Sequence, residues 1–250
     1  MSIWFFLWLF LSGALLYFLG WTIFILFRQK QAWTAFAVEK GLRYRTASMM
    51  ASPEMSGTVD GRAVSFLIGE HISPDGRSSR KLSAIEVQLL NRMPFEGGIG
   101  NGNMVPLIHS MRLKEEINPN YPKWDKNYIA TASSGYALEA YLTPERLEAL
   151  TSMMKIRNGS TILIFRGDMM LLRFDTPDPL DNKQKLSKIL AKMTETARVL
   201  ELKAGEDSRL KADAARTPVR AVNLQADERD FSESAGFALE DDQSPEKEKP

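Results

Sequence analysis

Residues 3 to 27 of this chain, IWFFLWLFLSGALLYFLGWTIFILF, contain no charged side chain. Hydrocarbon has no water to satisfy a solitary charge or an unpaired backbone group, so a run of this kind is first of all a membrane-crossing helix. At a rise of about 1.5 Å per residue it reaches roughly 37 Å, against about 30 Å of bilayer hydrocarbon. It spans with some tilt, or with its aromatic ends in the headgroups. Two competitors fit less well. A cleaved signal peptide needs a basic start, an apolar run of about 7 to 15 residues and a small-x-small cleavage site. No Lys or Arg precedes Ile3, the run is longer, and Arg28-Gln29-Lys30 follows it. A soluble core helix of this length seldom lacks a polar face.

The charges flanking the run predict an orientation. Only the terminal amine stands before it, while Arg28, Lys30, Lys40, Arg43 and Arg45 follow closely. The positive-inside rule then places the N-terminus outside and everything after Phe27 in the cytoplasm, in the inner membrane if the source is bacterial. Trp4, Phe5, Phe6 and Trp8 at one end, with Trp21 and Phe27 at the other, suit the two aromatic belts. Gly13, Ala14 and Gly20 have no small residue four positions away, so no close-packed dimer seam is expected. Without cysteine there is no disulfide, thiolate nucleophile or Cys-type zinc site, and the net charge of +1 gives no reason to expect nucleic acid as a partner. The sequon at Asn158 falls on the cytoplasmic side and reads as a helix-ending turn.

Downstream, Arg28 to Gly41 reads as a juxtamembrane helix with Ala32, Trp33, Phe36 and Ala37 at helical spacing. Residues 42 to 202 read as one cytoplasmic α+β domain, a mostly antiparallel sheet packed with two or three helices. Asp60-Gly61 between alternating runs predicts a two-residue hairpin, and Gly167-Asp168 predicts a second. Leu42 to Thr46, Leu82 to Leu90 and Tyr128 to Ser133 read as further strands, with a turn at Pro74-Asp75-Gly76. The glycine-rich stretch between Phe95 and Asn103 reads as a loop. Thr143 as N-cap, Pro144 at the first helical position and Glu145 in the first turn open a helix whose face is Leu147, Leu150, Met153 and Met154. A last amphipathic helix, capped by Asp181, runs to about Leu202. From Lys203 to Pro250 there are 8 basic and 12 acidic residues, a charge of −4 that leaves +5 for the rest. That tail, 203 to 250, offers too little apolar surface to offset its ordering entropy and is expected to be disordered.

The layout resembles a group of bacterial single-pass membrane proteins with a cytoplasmic α+β domain of unknown function. The resemblance rests on the Trp- and Phe-bearing juxtamembrane helix, Gly57-x-x-x-Gly61-Arg62, and Ala140-Tyr141-Leu142-Thr143-Pro144-Glu145 leading into a helix. The hairpin at Gly167-Asp168 and the closing helix complete it. It covers roughly residues 28 to 200 and departs from the group in the glycine-rich insertion Gly97 to Gly102. It implies domain boundaries and a fold, and carries no activity.

Candidate chemistry is sparse. His71 and His109 are the two imidazoles, and neither has a nucleophile-elbow Ser or a ligand-spaced carboxylate cluster beside it. The run Gly97-Gly98-Ile99-Gly100-Asn101-Gly102 invites a phosphate-loop reading. Its sequel Asn103-Met104-Val105-Pro106 shows no helix start and no Lys-Ser/Thr pair. No catalytic residue, metal site or cofactor is expected. Arg77, Arg80 and Lys81, together with Arg28, Lys30, Arg43 and Arg45, are candidates for contact with anionic headgroups. In the tail, Phe231, Phe237 and Leu239 among acidic residues suit a partner-docking motif. Three functions stay open. They are an interaction or scaffold domain at the membrane with membrane or cytoplasmic protein partners, a sensor of anionic lipid or a small ligand, and a membrane-bound enzyme.

Overall fold

A computed structural model describes residues 3–45, 52–72 and 79–216, and of residues 70–72, 79 and 80 it describes the backbone. The first element, α1 (Ile3–Lys40), is a single helix of 38 residues. The apolar run and the juxtamembrane stretch are thus one rod, with no break at the Phe27–Arg28 boundary. Before Gln29 nearly every side chain of α1 is exposed. From there on Gln29, Trp33, Phe36 and Ala37 are buried. Among the described residues α1 is the one helix long and apolar enough to cross a membrane.

The chain then forms β1 (Arg43–Arg45), β2 (Glu54–Val59), β3 (Arg62–Ile72), β4 (Ser79–Gln88), β5 (Gly97–Asn101), α2 (Val105–Ser110) and β6 (Glu115–Glu116). After these come β7 (Tyr128–Ala132), α3 (Gly135–Tyr141), α4 (Pro144–Met154), β8 (Ser160–Arg166), β9 (Met169–Thr176), α5 (Lys183–Leu200) and α6 (Glu206–Ala214). The strands make one sheet in the order β1-β2-β3-β4-β9-β8-β5-β7-β6, and every pair in it is antiparallel. The fold is α+β.

Both hairpin turns form as their residues require. Asp60 and Gly61 take φ of 51° and 78°, the two positive angles that match the twist of the flanking strands. At the second turn Gly167 alone takes a positive φ, 56°, at the first central position. Thr143 accepts a hydrogen bond from the Arg146 amide at 3.4 Å and so caps α4 ahead of Pro144. The cap of α5 is Asn182, one residue beyond the expected Asp181; its side chain accepts from the Gln184 amide at 2.8 Å.

One face of the sheet carries the larger core cluster, to which α1, α3, α4, α5 and α6 contribute. Trp33 and Phe36 of α1 meet Phe66 of β3 edge-on, with ring centroids 6.2 and 5.5 Å apart. Each side chain of this size contributes about 2–3 kcal/mol when fully buried. Along β9 the face is Met170, Leu172 and Phe174, and α5 brings Leu186, Leu190, Met193, Ala197 and Leu200 to the same core cluster. On the opposite face β5, β7 and β8 are covered a second time, by Met104 and by Ile108 of α2, which pack on Ile129 and Ile162.

That double cover overturns the loop reading of the glycine-rich stretch. Gly97–Asn101 is a central strand, buried at every position and paired on both sides with β7 and β8. A Cβ on Gly97 would stand 1.9 Å from the Phe165 ring, and one on Gly100 would stand 2.8 Å from the Thr161 carbonyl and 3.0 Å from Ile108 Cδ1. Glycine here lets a ring and a helix close onto the strand from its two faces. The segment after the strand also differs from expectation. Val105 does open a helix, six residues long, with Pro106 in its first turn.

The boundary placed at residue 203 also moves. Glu206–Ala214 is a helix that packs on α3, and Leu210 is fully buried in the main core. The disorder expected from 203 onward does not apply up to Arg216. The turn at Pro74-Asp75-Gly76 and the tail motif at Phe231, Phe237 and Leu239 lie outside the described residues.

Candidate functional site

The junction between α1 and the sheet is built from two elements distant in sequence. After β9 ends at Thr176, residues 177 to 181 pass across α1 just beyond the apolar run. Gln29 Nε2 donates to the Pro179 carbonyl, Trp33 Nε1 donates to the Leu180 carbonyl at 3.2 Å, and Arg28 stands 3.7 Å from Asp181. Leu180 is itself held with φ of 52° by its amide, which donates to Asp178 Oδ1 at 2.9 Å. Further along, Lys183 pairs with Glu39, and that hydrogen bond holds the Glu39 carboxyl below its ordinary value. Lys185 donates to Asp178 at 2.8 Å, which raises the lysine. The end of the apolar helix is therefore clasped by backbone carbonyls and ion pairs, and a buried polar group such as Gln29 stays there because it is hydrogen-bonded.

Beside this clasp lies a cleft of ≈ 160 Å³. Ile25 and Leu26, the last turn of the apolar run, form one side; Lys30, Lys81, Ser52 and Ser83 contribute amines and hydroxyls; Ile68, Leu82, Pro53, Pro177 and Pro179 close it. Of the seven cations that the sequence singles out for the membrane surface, the structure brings Lys30 and Lys81 to this one cleft. Arg28 turns to Asp181 and lies 5.8 Å from the Phe24 ring. Arg43 and Arg45 are exposed on the edge strand β1 and do not line the cleft. For Arg80 the backbone alone is described, paired with His71 near the end of the β3–β4 hairpin, and Arg77 lies outside the described residues.

Two larger hollows are more open. One of ≈ 550 Å³, lined by residues 177 to 181 as well, is bounded by Ile156, Arg157, Asn158, Lys185, Lys188 and Ile189 among others. The second, ≈ 730 Å³, surrounds His109 with Glu116, Asp125 and Tyr128. His109 is exposed on α2 at its rim, and among the described residues no three His, Asp or Glu side chains gather where they could hold a metal ion. Gly97–Asn101 cannot act as a phosphate loop, because its backbone is committed to β7 and β8.

Sequence reasoning missed a buried ion-pair lock at the C-terminal end of the domain. Arg146 of α4 is 1% exposed, and its guanidinium makes five hydrogen bonds. They go to the Val199, Tyr141 and Glu201 carbonyls and to both carboxylate oxygens of Glu206. It also lies 4.4 Å from the centre of the Tyr141 ring. Arg62 holds Glu201 bidentately at 2.9 and 2.6 Å, and the Tyr141 hydroxyl donates to the Leu200 carbonyl at 2.7 Å. Burial alone would raise the Glu206 carboxyl. The hydrogen bonds from Arg146 and from the Lys203 amide outweigh it and hold the group below its ordinary value. The available signal was Gly205 followed by Glu206-Asp207 and then Leu210 and Ala214 at helical spacing, diluted by the acidic composition of everything after it.

The fold and the junction define an α+β domain whose first core element is the end of an apolar helix long enough to cross a membrane. No protein-family model matches the chain, and no curated protein matches it in sequence.

Proposed function

We propose that this chain is a single-pass protein of a bacterial inner membrane, N-terminus outside, that presents a cytoplasmic interaction or scaffold domain. It would thus belong with the group of single-pass proteins that its layout resembles. The observation that carries the reading is the continuity of α1. An apolar run of membrane-spanning length passes without a break into a buried stretch that supplies Gln29, Trp33, Phe36 and Ala37 to the domain core. A flexible tether would let the domain sample many orientations. A rod clasped at 29 and 33 holds one face toward the membrane and the opposite face toward other proteins, which is what a scaffold needs. The cations Arg28, Lys30, Lys40, Arg43 and Arg45 after the run support the orientation.

The partners are membrane lipid and other membrane or cytoplasmic proteins, reached by the exposed surface of the domain and by the segment bearing Phe231, Phe237 and Leu239. Alkaline phosphatase fused after Arg216 is expected to be inactive, and a cytoplasmic reporter at the same position active. A phosphatase-positive fusion overturns the orientation. Photo-crosslinking residues at Arg43, Lys126 and Phe231 in membranes should give discrete protein adducts. Their absence from all three positions would remove the scaffold reading.

A further inference from the structure

The cleft beside the clasp carries an inference of its own, and it rests on the reading that residues 3 to 27 span the bilayer. Leu26 and Lys30 are four residues apart on one face of α1 and both line the cleft. Its wall therefore changes from apolar to cationic over about 6 Å of helix axis. Lys81 brings a second amine from β4, and Ser83 on the same strand adds a hydroxyl. The interfacial layer beyond the hydrocarbon is about 5–8 Å deep on each side, so a cleft that begins at the last apolar turn opens within that layer. Its volume, ≈ 160 Å³, falls below the roughly 300–1,000 Å³ of pockets that enclose a whole small molecule. It suits the polar part of a ligand whose apolar remainder stays in the bilayer.

We propose that this cleft holds the phosphodiester of an anionic glycerophospholipid, with its phosphate between Lys30 and Lys81 and its acyl chains along Ile25 and Leu26. Asp181 is engaged by Arg28 and Asp178 by Lys185, and Glu70, opposite Lys81 in the strand register, is the acid with which a bound phosphate competes. The structure thus separates a specific lipid site, made by residues 51 positions apart, from the diffuse attraction that any basic flank exerts.

The test uses the full chain in nanodiscs of equal phosphatidylglycerol and phosphatidylcholine, with the lipid retained on the protein counted by native mass spectrometry. The wild type is expected to keep phosphatidylglycerol in preference to phosphatidylcholine. Each interfacial amine contributes about fivefold, so Lys30→Ala with Lys81→Ala should lower the preference about 25-fold. Arg43→Ala with Arg45→Ala removes the same two charges outside the cleft and should leave the preference intact. Lys81 is exposed, so its replacement should leave the fold intact. Lys81→Glu reads the same site if the alanine pair unfolds, and must abolish the preference. A wild type without preference, a cleft variant that retains it, or an equal loss in the β1 pair overturns the proposal. Displacement of the lipid by millimolar inorganic phosphate overturns it too, and would make free phosphate the ligand. Alkaline carbonate extraction separates the two readings. Release of the chain from membranes sinks the span, whereas retention without headgroup preference sinks the cleft alone.

Discussion

Replacing Glu206 by Ala isolates the lock that holds α6 and tests whether the domain extends past residue 203. In the wild type the two carboxylate oxygens of Glu206 accept from Arg146 at 3.3 and 2.5 Å, and the Arg146 side chain keeps 2% of its surface. Removing one partner of a buried pair leaves an uncompensated charge and costs about 3–5 kcal/mol. Arg146 retains three carbonyl acceptors and the Tyr141 ring, and α6 can swing away to admit water, so the lower end, about 3 kcal/mol, is expected. At about 2–4 °C per kcal/mol for a domain of this size, the melting temperature falls by about 6–12 °C. The control is Arg92→Ala. It breaks a pair at a hydrogen-bonding distance, 2.9 Å to Asp168, but with side chains 70% and 81% exposed, and such pairs contribute about 0–1 kcal/mol. Circular dichroism melts of the full chain in detergent read both. Acid gives a second readout with a definite sign. The folded Glu206 carboxyl lies below its unfolded value, so its contribution is complete above the unfolded value and is lost as pH falls through the folded one. The gap between wild type and Glu206→Gln should shrink below about pH 4.3, the ordinary range of a glutamate. A fall of less than about 2 °C for Glu206→Ala, or a gap that persists to strong acid, refutes the reasoning.

Ending the chain at Ala204 instead of Arg216 also uncovers Leu210, and should cost at least as much in the same melt as Glu206→Ala. Gly97→Ala should destabilise by about 1–3 kcal/mol through overpacking against Phe165, measured by urea unfolding; an unchanged midpoint would mean that the ring has room to move. Trp33→Ala removes a fully buried side chain and its hydrogen bond to Leu180, a loss of about 3–5 kcal/mol. Limited proteolysis should then cut within residues 28 to 42 at rates that leave the wild type intact, and equal resistance would argue against the clasp.

What was legible in the sequence is what local chemistry decides. Asp60-Gly61 makes a hairpin because two positive φ angles are needed in succession, and Thr143-Pro144 starts a helix because a hydroxyl and a missing N–H suit its first turn. What was not legible depends on neighbours distant in sequence. Gly97–Asn101 has the composition of a loop. It is a strand because Phe165 and Ile108 need the space that missing side chains leave, and nothing adjacent to it reports that need. The helix at Glu206 is short and polar, and one contact with Arg146, 60 positions away, makes it part of the core. The same holds for the cleft. Lys30 and Lys81 are two basic residues among many in the sequence, and only the fold brings both to the lining of one cleft.

On the proposed reading, the junction follows from how α1 is divided between two solvents. Its first two-thirds is exposed and apolar on all sides, as lipid requires, while its last third buries one face on Phe66 and hydrogen-bonds Gln29 and Trp33 to residues 179 and 180. A helix turns about 100° per residue, so fixing Gln29 and Trp33 fixes which face of the span lies above the cleft. Leu26 and Lys30 then present apolar and cationic groups to one point, at a height set by the length of the apolar run. If the run spans a bilayer, its depth and the orientation of the domain are therefore a single degree of freedom. On that reading, the residues that stabilise the fold at 29 and 33 also aim the cleft at the interface.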